Sequence, residues 1–197
     1  MDAAKRLIAL TLFGVMALSS AAAQSAAATA ENAGLPAQYA ATAIGQGGAT
    51  SGKSFGVNMY ITGVTSDEEA REYKAVLKEK GPDALVSALG KAKDLGRIAP
   101  TGSVGTGVRF VRIRPTPDGG QHIVMVTDRP ISMAELFNST RSRDYPFGVV
   151  VMNVDKSGKG TGTLAPICKI RFNKKGELEI EHYGQKPFRL ANLRRVK

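Results

Sequence analysis

The chain has one cysteine, no tryptophan, two histidines and, after its first 18 residues, no long uncharged apolar run. Each shortage closes a door. With Cys168 alone no intrachain disulfide can form, so a fold used outside the cytoplasm has to stand on its core. His122 and His182 do not sit at a paired ligand spacing, which leaves no support for a metal site. The absence of tryptophan, with five scattered tyrosines, leaves few stacking platforms, so the sequence carries no persuasive nucleic-acid signal. No segment after the leader is long and apolar enough to cross a bilayer, which takes about 20 residues.

What is present begins with the leader. Lys5 and Arg6 precede an apolar run over residues 7–18, and Ala21-Ala22-Ala23 before Gln24 offers a small-residue cleavage site. This is the layout of a secretory signal peptide over residues 1–23, and it predicts a periplasmic or secreted protein. Residues 24–36 are small, polar and aperiodic, a flexible lead-in, and residues 37–197 are expected to form a single domain. The chain carries a formal charge of +10, and loss of Asp2, Lys5 and Arg6 leaves +9. Such a field attracts anions, whether a small molecule or an acidic polymer of the envelope.

Phe55, Val57, Met59 and Ile61 alternate with Gly56, Asn58, Tyr60 and Thr62, the period of a half-buried strand. Ser66 with Glu69 forms a capping box for a helix that Gly81-Pro82 stops. Leu85, Ala88, Leu89 and Ala92 predict a second helix ending at Gly96. Ser132 with Glu135 marks a short further helix over residues 133–138. Most of the remainder reads as strands. The expected architecture is α+β, a largely antiparallel sheet of roughly seven to nine strands curled toward a barrel or sandwich, with a helical pair over residues 66–95 packed on one face. The run over residues 147–154 is apolar on both faces and so demands cover on each.

Two turns, Asp155-Lys156-Ser157-Gly158 and Asn173-Lys174-Lys175-Gly176, suit three-residue hairpin loops with glycine in the left-handed position. For the second, the pleat fixes the register. Phe172 meets Leu178 and Ile170 meets Ile180 on one face, while Arg171 meets Glu179 and Lys169 meets Glu181 on the other. Extended inward, that register sets Cys168 opposite His182.

Four constellations could carry chemistry. Cys168 with His182 is the minimum for a thiolate nucleophile, although the face they share is the apolar one and nothing supplies an oxyanion hole. Arg129, Arg141 and Arg143 are suited to holding an anion, unless Arg129 and Arg143 pair with Asp128 and Asp144. Gly47-Gly48-Ala49-Thr50-Ser51-Gly52-Lys53-Ser54 spells a phosphate-binding loop, and residues 149–155 imitate its partner strand. That loop requires a helix directly after it, where this chain has an alternating strand, so the match reads as chance. Glu177, Glu179 and Glu181 line one strand face and are explained by cross-strand pairing. Asn138-Ser139-Thr140 is a glycosylation sequon that matters only in a glycosylating host.

The segments Val126-Thr127-Asp128-Arg129-Pro130-Ile131, Arg141-Ser142-Arg143-Asp144-Tyr145-Pro146-Phe147-Gly148 and Gly158-Lys159-Gly160-Thr161-Gly162 resemble those of a group of small exported bacterial proteins without an assigned activity. The resemblance runs from about Tyr39 to the C-terminus and implies export; it carries no catalytic or binding residues with it. The function expected is a non-catalytic binding protein of the bacterial envelope or secreted fraction, with an anionic or apolar ligand and no cofactor. The alternatives are a thiol-dependent hydrolase using Cys168 and His182, and an interaction protein that assembles through a sheet edge.

Overall fold

A computed structural model describes residues 34–131, 144–172, 178–182 and 186–197. The expected leader, most of the lead-in, the helix over residues 133–138, the sequon and the loop over residues 173–177 lie outside them.

Among the described residues, ten strands form one antiparallel sheet. They are β1 (Ala37–Ile44), β2 (Ser54–Ile61), β3 (Gly96–Pro100), β4 (Thr106–Val108), β5 (Phe110–Pro115), β6 (Gln121–Val126), β7 (Phe147–Val154), β8 (Lys159–Phe172), β9 (Leu178–His182) and β10 (Phe188–Arg195). The sheet runs β4-β3-β2-β1-β10-β8-β7-β6-β5, with β9 appended to β8. Only Arg109 separates β4 from β5, so these two are halves of one run that pairs with β3 on one side and β6 on the other. Counted as one stave, they bring the sheet back on itself as a nearly closed, eight-stave, up-and-down barrel in which the last strand pairs with the first. The remaining seam is stitched by Thr65, whose amide donates to the Val111 carbonyl at 2.9 Å and whose Oγ1 accepts from the Val111 amide at 3.0 Å.

Alternation puts the apolar residues inside. Tyr39, Ala41 and Ala43 of β1, Val57, Met59 and Ile61 of β2, Ile123 and Met125 of β6, and Leu190 and Leu193 of β10 belong to one buried cluster with their counterparts on the other staves. That arrangement is the reverse of a barrel that faces lipid, whose apolar band turns outward. No helix among the described residues is long and apolar enough to cross a membrane.

Strand β7 receives the double cover its sequence demands. Val150, Met152 and Val154 face the barrel interior, while Phe147 and Val149 face a second cluster built with Leu77, Leu85 and Leu89 of the helix. This helix, α1 (Asp67–Leu89), begins at the expected capping box: the Glu69 amide donates to Ser66 Oγ and the Ser66 amide to Glu69 Oε2. The expected pair is present as two helical segments that meet at a kink, where Gly81 (φ 81°) precedes Pro82. One expectation is corrected: the second segment stops at Leu89 with Gly90 as its cap rather than at Gly96. Arg109 gives the reason for the early stop. Its guanidinium takes the Ala92 carbonyl at 3.1 Å and the Asp94 carboxylate at 3.1 Å, pulling residues 91–95 out of the helical path toward β4.

Glycines let the wall curve. A Cβ on Gly160 of β8 would lie 1.9 Å from the Asn153 carbonyl oxygen of β7, a backbone atom that cannot step aside. We therefore expect Gly160→Ala to lower unfolding stability by about 1–3 kcal/mol in urea denaturation without changing the slope; full stability would show that β7 and β8 are not so closely apposed.

Candidate functional site

Among the described residues, large side chains pack the barrel interior. Tyr39, Met59, Met125, Met152, Leu164 and Phe188 are among the largest fully buried side chains and fill the interior to the width an eight-stave barrel allows. One end is plugged by Ile131, which packs so closely on Gly148 that a Cβ there would come within 2.5 Å of it. The sheet's concave side, the natural place for an apolar ligand, is therefore occupied by the protein itself.

The other end opens into a pocket of about 460 Å³. Three chain segments meet there: the β5–β6 turn, the β7–β8 turn, and the end of β10 with Val196 and Lys197. Each turn is built by its own aspartate. Asp155 Oδ1 accepts from the Ser157 amide and hydroxyl, both at 2.7 Å, and from the Lys159 amide at 3.0 Å. The Asp155 amide closes the turn onto the Lys159 carbonyl at 2.7 Å, which leaves the expected three-residue loop with Gly158 at φ 78°. In the β5–β6 turn the Thr116 hydroxyl donates to Asp118 Oδ1, and Gly119 (φ 77°) sends its amide to the Thr116 carbonyl at 2.8 Å. The Lys156 side chain crosses from one turn to the other, since a Cβ on Gly119 would lie 2.3 Å from its Cε.

These bonds set the charges. The Ser157 hydroxyl, then the Lys159 amide, hold the Asp155 carboxyl below its ordinary range, and the Thr116 hydroxyl, then the Gly120 amide, do the same for Asp118. Both carboxylates stay ionised; each accepts from its own turn, and Asp118 also feels the Lys156 charge and Asp155 the Lys159 charge. The cations Lys156, Arg195 and Lys197 line the same pocket. At its floor the Tyr39 hydroxyl donates to Gln121 Oε1 over a long 3.4 Å. Burial raises the Tyr39 pKa, against a smaller opposing pull from Arg195, so the phenol is a neutral donor at physiological pH. The Arg195 guanidinium donates from Nε to the Lys197 carbonyl at 3.1 Å and from Nη2 to the Gly34 carbonyl, so it adds its charge to the pocket while partly tied to the backbone; the Lys156 and Lys197 ammonium groups complete the cationic lining.

The residues singled out by sequence fall elsewhere. Cys168 and His182 are register partners in the β8–β9 hairpin, as the pleat required. Cys168 lies fully buried in the cluster under α1, and desolvation pushes its thiol up from near 9 to about 12. Burial also lowers the pKa of His182. A buried neutral thiol beside a neutral imidazole does not supply a thiolate. Arg129 is exposed, Asp128 turns to Arg109 Nε at 3.4 Å, and Arg141 and Arg143 lie outside the described residues. The expected cluster thus lies mostly outside the described residues.

Residues 47–54 make the β1–β2 connection, with a 3-10 turn (Gly48–Thr50) running directly into β2 and no helix after it. On the outer face of the β8–β9 hairpin, Arg171 bridges Glu181 at 3.1 Å and Glu179 at 3.5 Å, and the Tyr145 hydroxyl donates to Glu181 at 2.8 Å. Lys169 stands opposite Glu181 and Arg171 opposite Glu179, as the pleat required, and Arg171 reaches Glu181 as a diagonal neighbour; Glu177 lies outside the described residues. Among the described residues no cluster of three or more His, Cys, Asp or Glu could hold a metal ion.

Sequence reasoning missed the mouth pocket. Its turn signal was readable, but Tyr39, Gln121, Lys156 and Arg195 come together only when the first and last strands pair. No family model matches this chain, and no curated protein or solved structure matches it.

The buried thiol makes a prediction with a definite sign. Because the folded state keeps the Cys168 proton to about pH 12 while an unfolded thiol releases it near 9, the unfolded state binds fewer protons between those values. Stability should fall as pH rises through that window, more steeply in the native chain than in Cys168→Ala; equal slopes would mean that Cys168 is solvated. A thiol reagent at neutral pH should label the unfolded protein and spare the folded one.

Proposed function

We propose that this is an exported, non-catalytic binding protein, periplasmic or secreted, that takes a small anionic molecule at the open end of its barrel. The observation that carries the reading is the mouth pocket, where Lys156, Arg195 and Lys197 converge above the Tyr39 hydroxyl while the nearby carboxylates are engaged by their own turns. The leader over residues 1–23 supports export, and the net charge of +10 favours an anion over a cation. A filled interior argues for a ligand seated at the rim over an apolar one enclosed by the sheet. The thiol-hydrolase alternative has the Cys168–His182 pairing in its favour and the burial of that thiol against it. The sheet-edge alternative rests on β9, which among the described residues pairs with β8 alone, but two copies joined there would bring Glu179 and Glu181 against like charges.

Titration of the mature protein with inorganic phosphate and with citrate, followed by amide chemical shifts, tests the reading. Shifts should cluster in residues 118–121, 155–158 and 195–197, and Lys156→Glu should abolish them while leaving the fold intact. Shifts spread over the surface, or unchanged in Lys156→Glu, would overturn it.

A further inference from the structure

The barrel wall away from α1 has a charge pattern that neither the mouth pocket nor the fold requires. Strands β1, β2, β3 and β10 and the first five residues of β8 contain no aspartate or glutamate, yet they carry Arg97, Lys159, Arg189 and Arg194, all exposed. Register places Arg194 directly across from Lys159, a like-charge pair that costs stability unless something negative lies over it. Among the described residues no carboxylate lies within ion-pair distance of Arg189 or Arg194, and Lys159 has only the nearby charge of Asp155, which is engaged by its own turn. The acids lie elsewhere, on α1, in the turns and on β9.

The dimensions suit an extended partner. Arg189 and Arg194 are separated by roughly 16 Å along β10, and Lys159 stands beside Arg194 on β8, whereas Arg97 on β3 lies four staves away on the opposite side of the barrel and takes no part. Uncharged hydrogen-bonding groups flank the three cations: Thr42 of β1, and Thr161 and Thr163 of β8. We propose that this wall binds a linear acidic polysaccharide, its carboxylates or sulfates meeting the cations and its hydroxyls meeting the hydroxyl side chains that flank them.

The same face fits other polyanions less well. Single-stranded nucleic acid needs aromatic platforms, and here Tyr60 has Arg97 seated over its ring at 5.1 Å. A membrane surface needs apolar anchors, and the exposed large apolar side chains among the described residues, Val104 and Val196, lie outside these strands. The wall is also curved, where a bilayer is flat.

The test measures binding of the mature protein to polygalacturonate, to a thymidine oligonucleotide and to phosphatidylglycerol vesicles at low and high NaCl. Polygalacturonate should bind most tightly and be released by salt. The double variant Arg189→Ala/Arg194→Ala should bind it about tenfold more weakly, two charge-assisted contacts being lost. Lys159→Gln, an exposed single change, should weaken it in the same direction and serves if the double variant does not fold. Arg114→Ala, on β5 away from this face, should bind as the native protein does. Absence of binding, undiminished binding by the folded variants, or tighter binding to the oligonucleotide or the vesicles would overturn the proposal.

Discussion

The pairing of β1 with β10 is the constraint on which the rest of the structure depends. An antiparallel meander of this length buries one face only if its ends meet, because an open sheet would leave two unpaired edges and an uncovered apolar surface. Here the ends meet through a register from Tyr39–Arg195 to Ile44–Arg189, interrupted by a bulge between Ala40 and Thr42. Asn192, in the left-handed region at φ 52°, supplies the extra residue on β10 at that bulge. Closure then determines the interior: the inward residues of eight staves are enough to fill it, each large one contributing about 1.5–3 kcal/mol on burial.

A filled barrel moves function outward. The turns at one end are rigid because each spends an aspartate on its own backbone, and closure at β1–β10 brings the C-terminal cations beside them. The helix has a different task. It covers the outward apolar residues of β7 and β8, and it is tied to the barrel at both ends by arginines of the β4–β5 run. Arg112 donates to the Thr65 carbonyl at 2.8 Å and pairs with Asp67 at the helix start, while Arg109 gathers Ala92, Asp94 and Asp128 beyond the helix end. What remains bare is the wall from β3 to β8, the face free of acids.

Local chemistry was legible in the sequence wherever one face of an element differs from the other. The alternation of β2, the two-sided apolarity of β7, the capping box at Ser66, the break at Gly81 and the Cys168–His182 register all follow from neighbouring residues, and all stand in the structure. The split of residues 106–115 into two half-staves was not legible, because it depends on Arg109 being drawn toward Asp94 and Asp128. Nor was the end of the helix at Leu89, since Ala92 keeps the helical spacing and loses it only to the same arginine. The mouth pocket was hidden for a related reason: its parts lie up to 158 positions apart, as Tyr39 and Lys197 do, and only closure joins them.

The most direct measurement of closure is native-state hydrogen exchange on β1 and β10. Strands near the ends of an open sheet fray and exchange by local opening, whereas staves of a closed barrel exchange only with global unfolding. The account predicts that amides of β1 and β10 are among the slowest in the molecule, matching β7 and β8. Fast exchange along β10 with β7 and β8 still protected would show the barrel open at this seam and would contradict it.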